Sequence, residues 1–251
     1  MERDFTINRS GLSIRCKIHC LEMRKVEEVV LFVHGFGGHK GSGAEQRLAE
    51  KLLAKHKRAA LVCFDLPAHG EDARKRLTVA DCLSYLDTVV AYLGETYPGP
   101  LYGCGVSFGG YLLLLYLTQK GSPFRRIALR SPAVNIYESL TRTIMTEAQL
   151  AQVEKGKPVN VGFDRKVTIG KDFLQALKEN DIRQQEFLDW AEDILLVQGT
   201  RDEIIPPEAV MHFAQEQLLE LKTIEGADHR FRNPEKMDLA IHEMLQFLFQ
   251  P

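Results

Sequence analysis

The 251-residue sequence contains no apolar run of the length that spans a membrane, which takes about 18 consecutive apolar residues. The first ten residues, MERDFTINRS, are charged and lack the apolar segment of a signal peptide. The net charge is only -2, so the balance of charges offers no electrostatic attraction for nucleic acid or for an anionic membrane. We therefore expect a cytoplasmic protein without a nucleic-acid partner and without membrane insertion.

Cysteine is also scarce and irregularly placed. The five cysteines form neither a CxxC pair nor a zinc-ligand pattern, and most fall within apolar runs, which favours reduced, buried thiols. Cys104, three residues before Ser107, is the one cysteine whose position leaves a reactive thiol open as the less favoured alternative.

The motifs of nucleotide and metal sites are missing. The segment HGFGGHKGSG is rich in glycine, but it has the spacing of neither GxGxxG nor a P-loop, so a phosphate cradle is disfavoured. No HExxH or similar histidine–carboxylate spacing is present. The sequence thus predicts neither a metal nor a cofactor.

What the sequence does contain is an alternation of short β-rich runs with segments of helical spacing. This alternation is typical of βα units and a mainly parallel sheet with helices on both faces. Two runs near the amino terminus, FTIN and LSIRCKIH, are separated only by RSG and predict a hairpin. Thr78 with Asp81, and Asn233 with Pro234, are start signals for two of the helices.

One long segment interrupts this alternation. Between RIALRSP and DILLVQG lie about sixty residues, far more than one βα connection requires. Within it, YESLTRTIMTEAQL and KDFLQALKENDI read as helices, and PVNVGFDRKVTIG as a loop or short hairpin. It has too few apolar residues for a core of its own. We therefore predict that residues 133–192 form an inserted cap and that residues 1–132 and 193–251 form one α/β core.

Residues Gly105 to Gly109 read GVSFG, a GxSxG motif that ends a predicted strand and opens a strongly apolar helix. A nucleophilic serine on a sharp strand-to-helix turn needs small neighbours two residues before and two after it. Ser107 is thus the candidate nucleophile, and it requires a histidine to accept its proton.

Among eight histidines, His229 follows the last predicted strand, at the edge of the sheet where open α/β folds bind ligands. His39 and His69 lie on predicted loops and stay open as alternatives, whereas the histidines within strands or helices suit structural roles. The carboxylate that orients the base is expected at Asp202, after the preceding strand; Glu203 is the next candidate, and Asp228 suits a local pairing role. The order Ser107, Asp202, His229 fits a nucleophile elbow.

An acyl-transfer reaction also needs hydrogen-bond donors for the developing oxyanion. The loop FVHGFGG leaves a strand with glycines on both sides of Phe36, and Phe108 directly follows the serine. We predict that the backbone N–H groups of Phe36 and Phe108 form the oxyanion hole and that His34 braces the loop.

These segments, in this order, resemble the landmarks of the α/β-hydrolase superfamily. The resemblance rests on FVHGFGG, FDLPAHGED, GCGVSFGG, VQGTRDEIIPPE and EGADHRF, which span nearly the whole chain. It implies an α/β-hydrolase fold, with a mostly parallel sheet of about eight strands and a short cap. The same resemblance implies Ser107 as nucleophile, His229 as base and Asp202 as acid. Within the superfamily the chain looks most like small bacterial carboxylesterases of the cinnamoyl or feruloyl type.

The sequence departs from these esterases at two places. The segment PAHGEDARKR has no serine after the glycine, where the family more often has GHGxS, and the cap sequence matches no cap of known specificity. The expected substrate is a small-molecule carboxylic ester, with candidate pocket walls at Phe36, Tyr137, Phe163 and Phe173. A peptidase or amidase, a monoacylglycerol lipase and a non-catalytic binding protein of the same fold stay as alternatives.

Overall fold

An eight-stranded sheet forms the centre of the computed structural model, which describes residues 1–250. In chain order the strands are β1 Glu2–Arg9, β2 Leu12–Cys20, β3 Glu28–Val33, β4 Ala59–Phe64, β5 Leu101–Val106, β6 Ile127–Arg130, β7 Val159–Val161, β8 Val167–Ile169, β9 Ile194–Gly199 and β10 Glu220–Ile224. The sheet order is β1-β2-β4-β3-β5-β6-β9-β10, and β7 and β8 form a separate two-stranded ribbon. The expected mostly parallel sheet of about eight strands is confirmed.

Only the first strands depart from the parallel arrangement. β1 pairs with β2 antiparallel across the predicted hairpin, and β2 pairs with β4 antiparallel; every later neighbour in the sheet pairs in parallel. All six residues of β4 and all six of β9 are buried. Such continuous burial follows because helices cover both faces of the sheet.

The helices divide between the two faces. Their bounds are α1 Gly43–Lys55, α2 Val79–Thr96, α3 Phe108–Lys120, α4 Ile136–Ser139, α5 Glu147–Glu154, α6 Lys171–Glu179, α7 Pro207–Glu216 and α8 Pro234–Leu248. The buried side chains of α1 and α8 pack into one apolar cluster, and those of α2, α3 and α7 into the other. Among the residues described, no helix combines the length and apolar character that a membrane crossing requires.

Side-chain caps determine where several helices begin. Thr78 Oγ1 accepts from Asp81 N at 3.0 Å, and Asn233 Oδ1 accepts from Glu235 N at 2.9 Å, so both predicted start signals are confirmed. Each bond satisfies a backbone N–H that has no partner within the first helical turn.

The segment 133–192 contains a break that sequence reasoning missed. The stretch YESLTRTIMTEAQL, read as a single helix, forms α4, a π-helical turn over Leu140–Ile144 and then a separate helix α5. Met145 is extended between them, because Thr146 starts α5 with a capping box whose Gln149 side chain bonds back to the Thr146 N–H. The predicted short hairpin is β7–β8, and the second predicted helix is α6.

The same segment packs against the core and has no separate apolar cluster among the described residues. Side chains of β7, β8 and α6, including Val161, Ile169 and Phe173, belong to the apolar cluster that also contains α2 and α3. The division of the chain into a core and a cap stays a prediction.

Helix α3 is buried along nearly its full length, from Phe108 to Leu117. Its start passes so close to the end of β3 that a Cβ atom on Gly109 would lie 2.1 Å from the carbonyl oxygen of Val33. Real Cβ atoms are not found at such distances from backbone, so glycine is required at this crossing.

We expect Gly109→Ala to destabilise the protein by about 1–3 kcal/mol, because its methyl group would force β3 and α3 apart. Gly94→Ala, at an exposed site in α2 where a Cβ meets no atom within 4 Å, is the matched control. That change should stabilise the protein by about 0.5–1 kcal/mol through helix propensity. Urea unfolding of both variants measures the difference, and equal stabilities would contradict the close crossing.

Candidate active site

Ser107 occupies a strained turn between β5 and α3. Its backbone angles are φ 52° and ψ −115°, a conformation that residues with a side chain rarely adopt. Ser107 is partly exposed, whereas Gly105 on β5 and Phe108 on α3 are buried. This geometry lifts the hydroxyl clear of the carboxyl end of the sheet, as a nucleophile elbow does.

A different close contact requires glycine at each end of the GxSxG motif. A Cβ on Gly105 would lie 2.8 Å from both the Cα and the N of Gly110, so β5 and α3 cross too closely for any side chain there. Gly109 is required by the end of β3. A Cβ on Gly110 would lie 3.2 Å from Pro132, which shows how closely the helix packs against the chain leaving β6.

His229 connects the serine to a carboxylate. Its Nε2 lies 3.1 Å from Ser107 Oγ, and its Nδ1 lies 2.9 Å from each carboxylate oxygen of Asp202. Asp202 follows β9 and His229 follows β10, so adjacent parallel strands deliver both side chains to the same sheet edge. A serine, a histidine and an aspartate at these distances can act chemically as a nucleophile, a base and an orienting acid.

The Asp202 side chain is fully buried and held by several donors. Ile204 N and Ile205 N donate to its Oδ1 at 2.9 and 2.8 Å, and Gln198 Nε2 donates to its Oδ2 at 3.0 Å. Burial alone would raise the pKa of Asp202, but the bond from His229 and those from the two backbone N–H groups outweigh it and lower the pKa. The carboxylate is therefore ionised and fixed in orientation.

The two competing carboxylates have other partners. Glu203 Oε2 accepts from the backbone N–H of His229 at 3.0 Å, so it contacts the main chain and not the imidazole. Asp228 pairs with Arg232, through Arg232 N and Arg232 NH1, both at 2.8 Å. Glu203 therefore supports the loop, and Asp228 has the local pairing role expected from the sequence.

Two buried histidines brace the loop that carries Phe36. His34 Nε2 accepts from Leu66 N at 3.1 Å, and His69 Nε2 accepts from Gly37 N at 3.0 Å. In each ring Nδ1 faces a backbone carbonyl at 2.8 Å, which places the proton there. Burial lowers the pKa of His34 well below its usual value and that of His69 to about 4. Both rings are therefore neutral at pH 7 and can accept from the backbone.

The braced loop passes beside the elbow. A Cβ on Gly35 would lie 3.2 Å from the Val106 carbonyl oxygen and 3.4 Å from Ser107 Cβ. Within residues 1–250, neither Phe36 N–H nor Phe108 N–H donates a hydrogen bond to a protein acceptor. Phe108 is the first residue of α3, where the helix dipole is positive. Two unpaired N–H groups near the serine are the donors that an oxyanion needs.

The four aromatic residues proposed as pocket walls divide into two pairs. Phe36 and Phe173 pack together at a centroid distance of 6.4 Å, and both contact the Phe108 ring beside the nucleophile, at 6.1 and 5.9 Å. Tyr137 instead lies under the Lys178 ammonium at 4.6 Å, and the half-exposed Phe163 lies under the Arg230 guanidinium at 5.6 Å.

The turn between β7 and β8 contacts both sides of the site. The carbonyl oxygen of Arg165 lies 3.0 Å from the Cβ position of Gly37, on the loop that carries Phe36. Asp164 accepts from Arg230 at 2.6 Å, next to His229. The turn therefore connects the two loops that flank Ser107.

Two further side chains support the His229 loop and were missed by sequence reasoning. The buried Arg130 donates to the Arg230 carbonyl at 3.3 Å, and Ser131 Oγ donates to the His229 carbonyl at 3.4 Å. Burial lowers the pKa of Arg130 to about 10. A charged residue at the end of an otherwise apolar strand is the signal that could have identified Arg130.

The remaining sequence candidates lie outside this constellation. All five cysteines are buried, and burial raises the pKa of Cys104 to about 12, so it is a protonated thiol. His39 Nδ1 faces the Lys40 carbonyl at 2.5 Å. A surface cleft of about 500 Å³ is lined by residues near the carboxyl ends of α2 and α3, among them Tyr97, Ser122 and Arg125; no histidine lines it.

Comparisons with known proteins agree with this architecture. Residues 30–239 match the model of the alpha/beta hydrolase family. A comparison with curated protein sequences finds no match.

Three solved structures illustrate the shared fold. Est1E from Butyrivibrio proteoclasticus, solved with ferulic acid bound, superposes with a TM-score of 0.79 at 19% identity, covering 97% of each chain. Mouse alpha/beta hydrolase domain-containing protein 10 gives 0.69 at 18% identity, with 96% of each chain covered. A monoacylglycerol lipase from Paleococcus ferrophilus gives 0.66 at 21% identity, covering 94% of this chain and 98% of the lipase.

The family match spans most of the chain and includes the strand-to-helix turn at Ser107 and both loops that supply Asp202 and His229. The protein belongs to the alpha/beta hydrolase family.

Proposed function

We propose that the protein is a serine hydrolase that cleaves a carboxylic ester through an acyl-enzyme. The observation that carries this proposal is the unbroken hydrogen-bonded chain from Ser107 Oγ through His229 to Asp202, with distances of 3.1 and 2.9 Å. A serine hydroxyl is a weak nucleophile unless a positioned base takes its proton.

In the proposed reaction, Ser107 Oγ attacks the ester carbonyl while His229 Nε2 accepts the hydroxyl proton. The tetrahedral intermediate collapses, the C–O bond to the alcohol breaks, and His229 returns the proton to the leaving oxygen. Water then attacks the acyl-enzyme with His229 again as base, which releases the carboxylic acid and restores Ser107. Asp202, ionised and held by Ile204, Ile205 and Gln198, stabilises the imidazolium at each step.

The oxyanion of the intermediate would accept from the N–H groups of Phe36 and Phe108. Such donors typically contribute about 3–4 kcal/mol of transition-state stabilisation each. Their effect depends on their positions before the reaction begins. Neutral His34 and His69 fix the loop that carries the Phe36 N–H. The buried helix α3 fixes the Phe108 N–H at its first residue.

An aromatic acyl group of the feruloyl or cinnamoyl type is the proposed substrate class. The rings of Phe36, Phe108 and Phe173 form a cluster with centroid distances between 5.9 and 6.4 Å. Phe36 is the partly exposed ring that a substrate can reach, and the buried Phe108 and Phe173 pack against it. Flat aromatic groups favour edge and offset contacts with such rings. The binding of ferulic acid by Est1E, whose fold this chain shares, agrees with this choice.

We expect Ser107→Ala to lose labelling by a fluorophosphonate probe and to lower kcat/KM for short p-nitrophenyl esters by about 10,000-fold or more, because no nucleophile replaces the hydroxyl. Unchanged turnover by this variant would overturn the proposal. A panel of hydroxycinnamate esters, alkanoyl esters, monoacylglycerols and aminoacyl amides separates the substrate classes. The highest kcat/KM should be found with hydroxycinnamates. A preference for monoacylglycerols would replace the aromatic acyl class with a fatty acyl class, and a preference for amides would replace the ester assignment itself.

We expect Asp202→Asn to lower kcat by about 10,000-fold, because an amide favours the wrong tautomer of His229 and does not stabilise the imidazolium. Glu203→Gln makes the same change of charge one residue away, at a carboxylate that contacts the backbone N–H of His229 and not its imidazole. Its kcat should stay within about tenfold of wild type. Steady-state kinetics on one ester compares the two, and the opposite order would assign the acid to Glu203.

We expect His69→Gln to make the protein less sensitive to mild acid. The folded pKa of His69, about 4, lies below the ordinary value of about 6.5, so the unfolded chain takes up the proton first and stability falls as the pH drops below 6.5. Between pH 7 and pH 5 this one group lowers the free energy of unfolding by about 2 kcal/mol. Glutamine can accept from Gly37 N–H but does not titrate.

Urea unfolding at pH 7 and pH 5 measures this difference. The loss of stability between the two pH values should be smaller in His69→Gln than in wild type by that amount. An identical loss in both proteins would show that His69 is not buried in its neutral form.

A further inference from the structure

Three side chains capable of binding a metal meet on the face of the sheet that α1 covers. They are His19 from β2, Glu45 from α1 and Cys63 from β4, and one ligand atom of each lies within 4.8 Å of the others. Their exposed fractions are 6%, 0% and 1%. None of them takes part in the proposed hydrolysis.

The fold brings these residues together through strand register. In the antiparallel pair of β2 and β4, His19 lies opposite Leu61 and Lys17 opposite Cys63, so His19 and Cys63 point to the same face of the sheet. Helix α1 begins over that face, and Glu45 lies in its first turn. Because the three residues come from separate elements, their spacing in the sequence contains no metal motif.

The donor set suits a borderline-soft divalent ion. Imidazole nitrogen, carboxylate oxygen and thiolate sulfur are the ligands that zinc prefers, at distances of about 2.0–2.3 Å. In a tetrahedral site these bond lengths separate two ligand atoms by about 3.3–3.7 Å. His19 Nε2 and Glu45 Oε1 are joined by a hydrogen bond of 2.7 Å. For an ion to take the place of the shared proton, the two atoms would have to move apart by less than about 1 Å.

The surroundings already orient two of the ligands. Glu2 Oε2 lies 3.8 Å from Nδ1 of His19, on the side of the ring away from Glu45. Gly41 N–H donates to Oε2 of Glu45, which leaves Oε1 directed at His19. A carboxylate behind a ligating histidine and a donor behind a ligating carboxylate are the usual outer-shell contacts of metal sites.

A buried hydrogen bond between His19 and Glu45 is the simpler interpretation of this cluster. That bond accounts for His19 and Glu45 but does not require a thiol beside them. Cys63 Sγ donates a long hydrogen bond to the Lys17 carbonyl at 3.5 Å and also lies beside the Glu45 carboxylate. Its place beside both a carboxylate and an imidazole is what a third ligand needs.

We propose that His19, Glu45 and Cys63 bind one divalent transition-metal ion, with Zn²⁺ the best match, and that water completes its coordination. Binding displaces the thiol proton of Cys63 and moves the His19 proton to Nδ1, which Glu2 faces. The site is structural: it joins β2, β4 and the start of α1. It also holds the end of the segment that runs from the Phe36 loop into α1.

The test uses protein treated with chelator and then dialysed against Zn²⁺ or Co²⁺. Wild type should retain one equivalent of metal after gel filtration, unfold at a higher temperature with metal than without, and show a thiolate-to-cobalt charge-transfer band. Metal that binds only the folded state stabilises it by mass action. Less than one-tenth of an equivalent retained, with no thermal shift, would overturn the proposal.

Variants identify the ligands. Cys63→Ser, which nearly keeps the side-chain shape, should abolish the cobalt band and weaken Zn²⁺ binding at least tenfold, the lower end of what changes around a metal site cause. Glu45→Gln should weaken binding by a similar factor. Glu50→Gln, an exposed change on the same helix, and Cys82→Ala, a buried cysteine on α2, should bind as wild type does.

Equal metal affinity in wild type and Cys63→Ser would rule out this site. Binding that is lost in His229→Asn but kept in Cys63→Ser would assign the metal to the active-site histidine and overturn the proposal. Both results come from metal content and spectra, so they do not depend on whether the protein hydrolyses esters.

Discussion

The strained backbone of Ser107 is the constraint on which the rest of the active site depends. A non-glycine residue at φ 52° and ψ −115° typically costs about 1–3 kcal/mol, and it persists only where the surrounding structure allows no alternative. Here the surroundings are β5, β3 and α3, which cross so closely at Gly105 and Gly109 that the chain has no room for a Cβ at either position. Helix α3, buried from Phe108 to Leu117, then holds the turn in place.

Once this turn fixes Ser107, the two other side chains of the proposed triad must approach it from the same edge of the sheet. Parallel pairing of β9 and β10 brings Asp202 within hydrogen-bonding distance of His229, and His229 in turn lies within that distance of Ser107. Supporting contacts come from further side chains around these three. Arg130 and Ser131 hold the His229 loop, Gln198 holds Asp202, and neutral His69 holds the Phe36 loop. The positions of the Ser107, His229 and Asp202 side chains therefore depend on the buried polar groups that surround them.

Sequence reasoning reached the features that depend on local chemistry. The glycines around Ser107, the caps at Thr78 and Asn233, and the alternation of strands and helices all leave a signature within a few residues. The order of Ser107, Asp202 and His229 predicted partners that the structure places in contact. The features that it missed depend on competition between local signals or on contacts between residues that are far apart in the sequence. The break at Met145 arises because the capping box of Thr146 overrides an apparently continuous helical pattern. Of the four aromatic candidates, only tertiary packing selects Phe36 and Phe173 as the pair beside the nucleophile.

The cluster of His19, Glu45 and Cys63 shows the same limit, since three elements that are separate in sequence create it. Its proposed role is to stabilise the frame, whereas the central claim concerns Ser107. That claim is tested most directly by mass spectrometry of the acyl-enzyme: the protein is mixed with excess p-nitrophenyl ester, quenched in acid within the first turnovers and digested. The account predicts one added acyl group, located on the peptide that contains Ser107. Acylation of any other residue, or substrate turnover with no covalent adduct at any time, would contradict it.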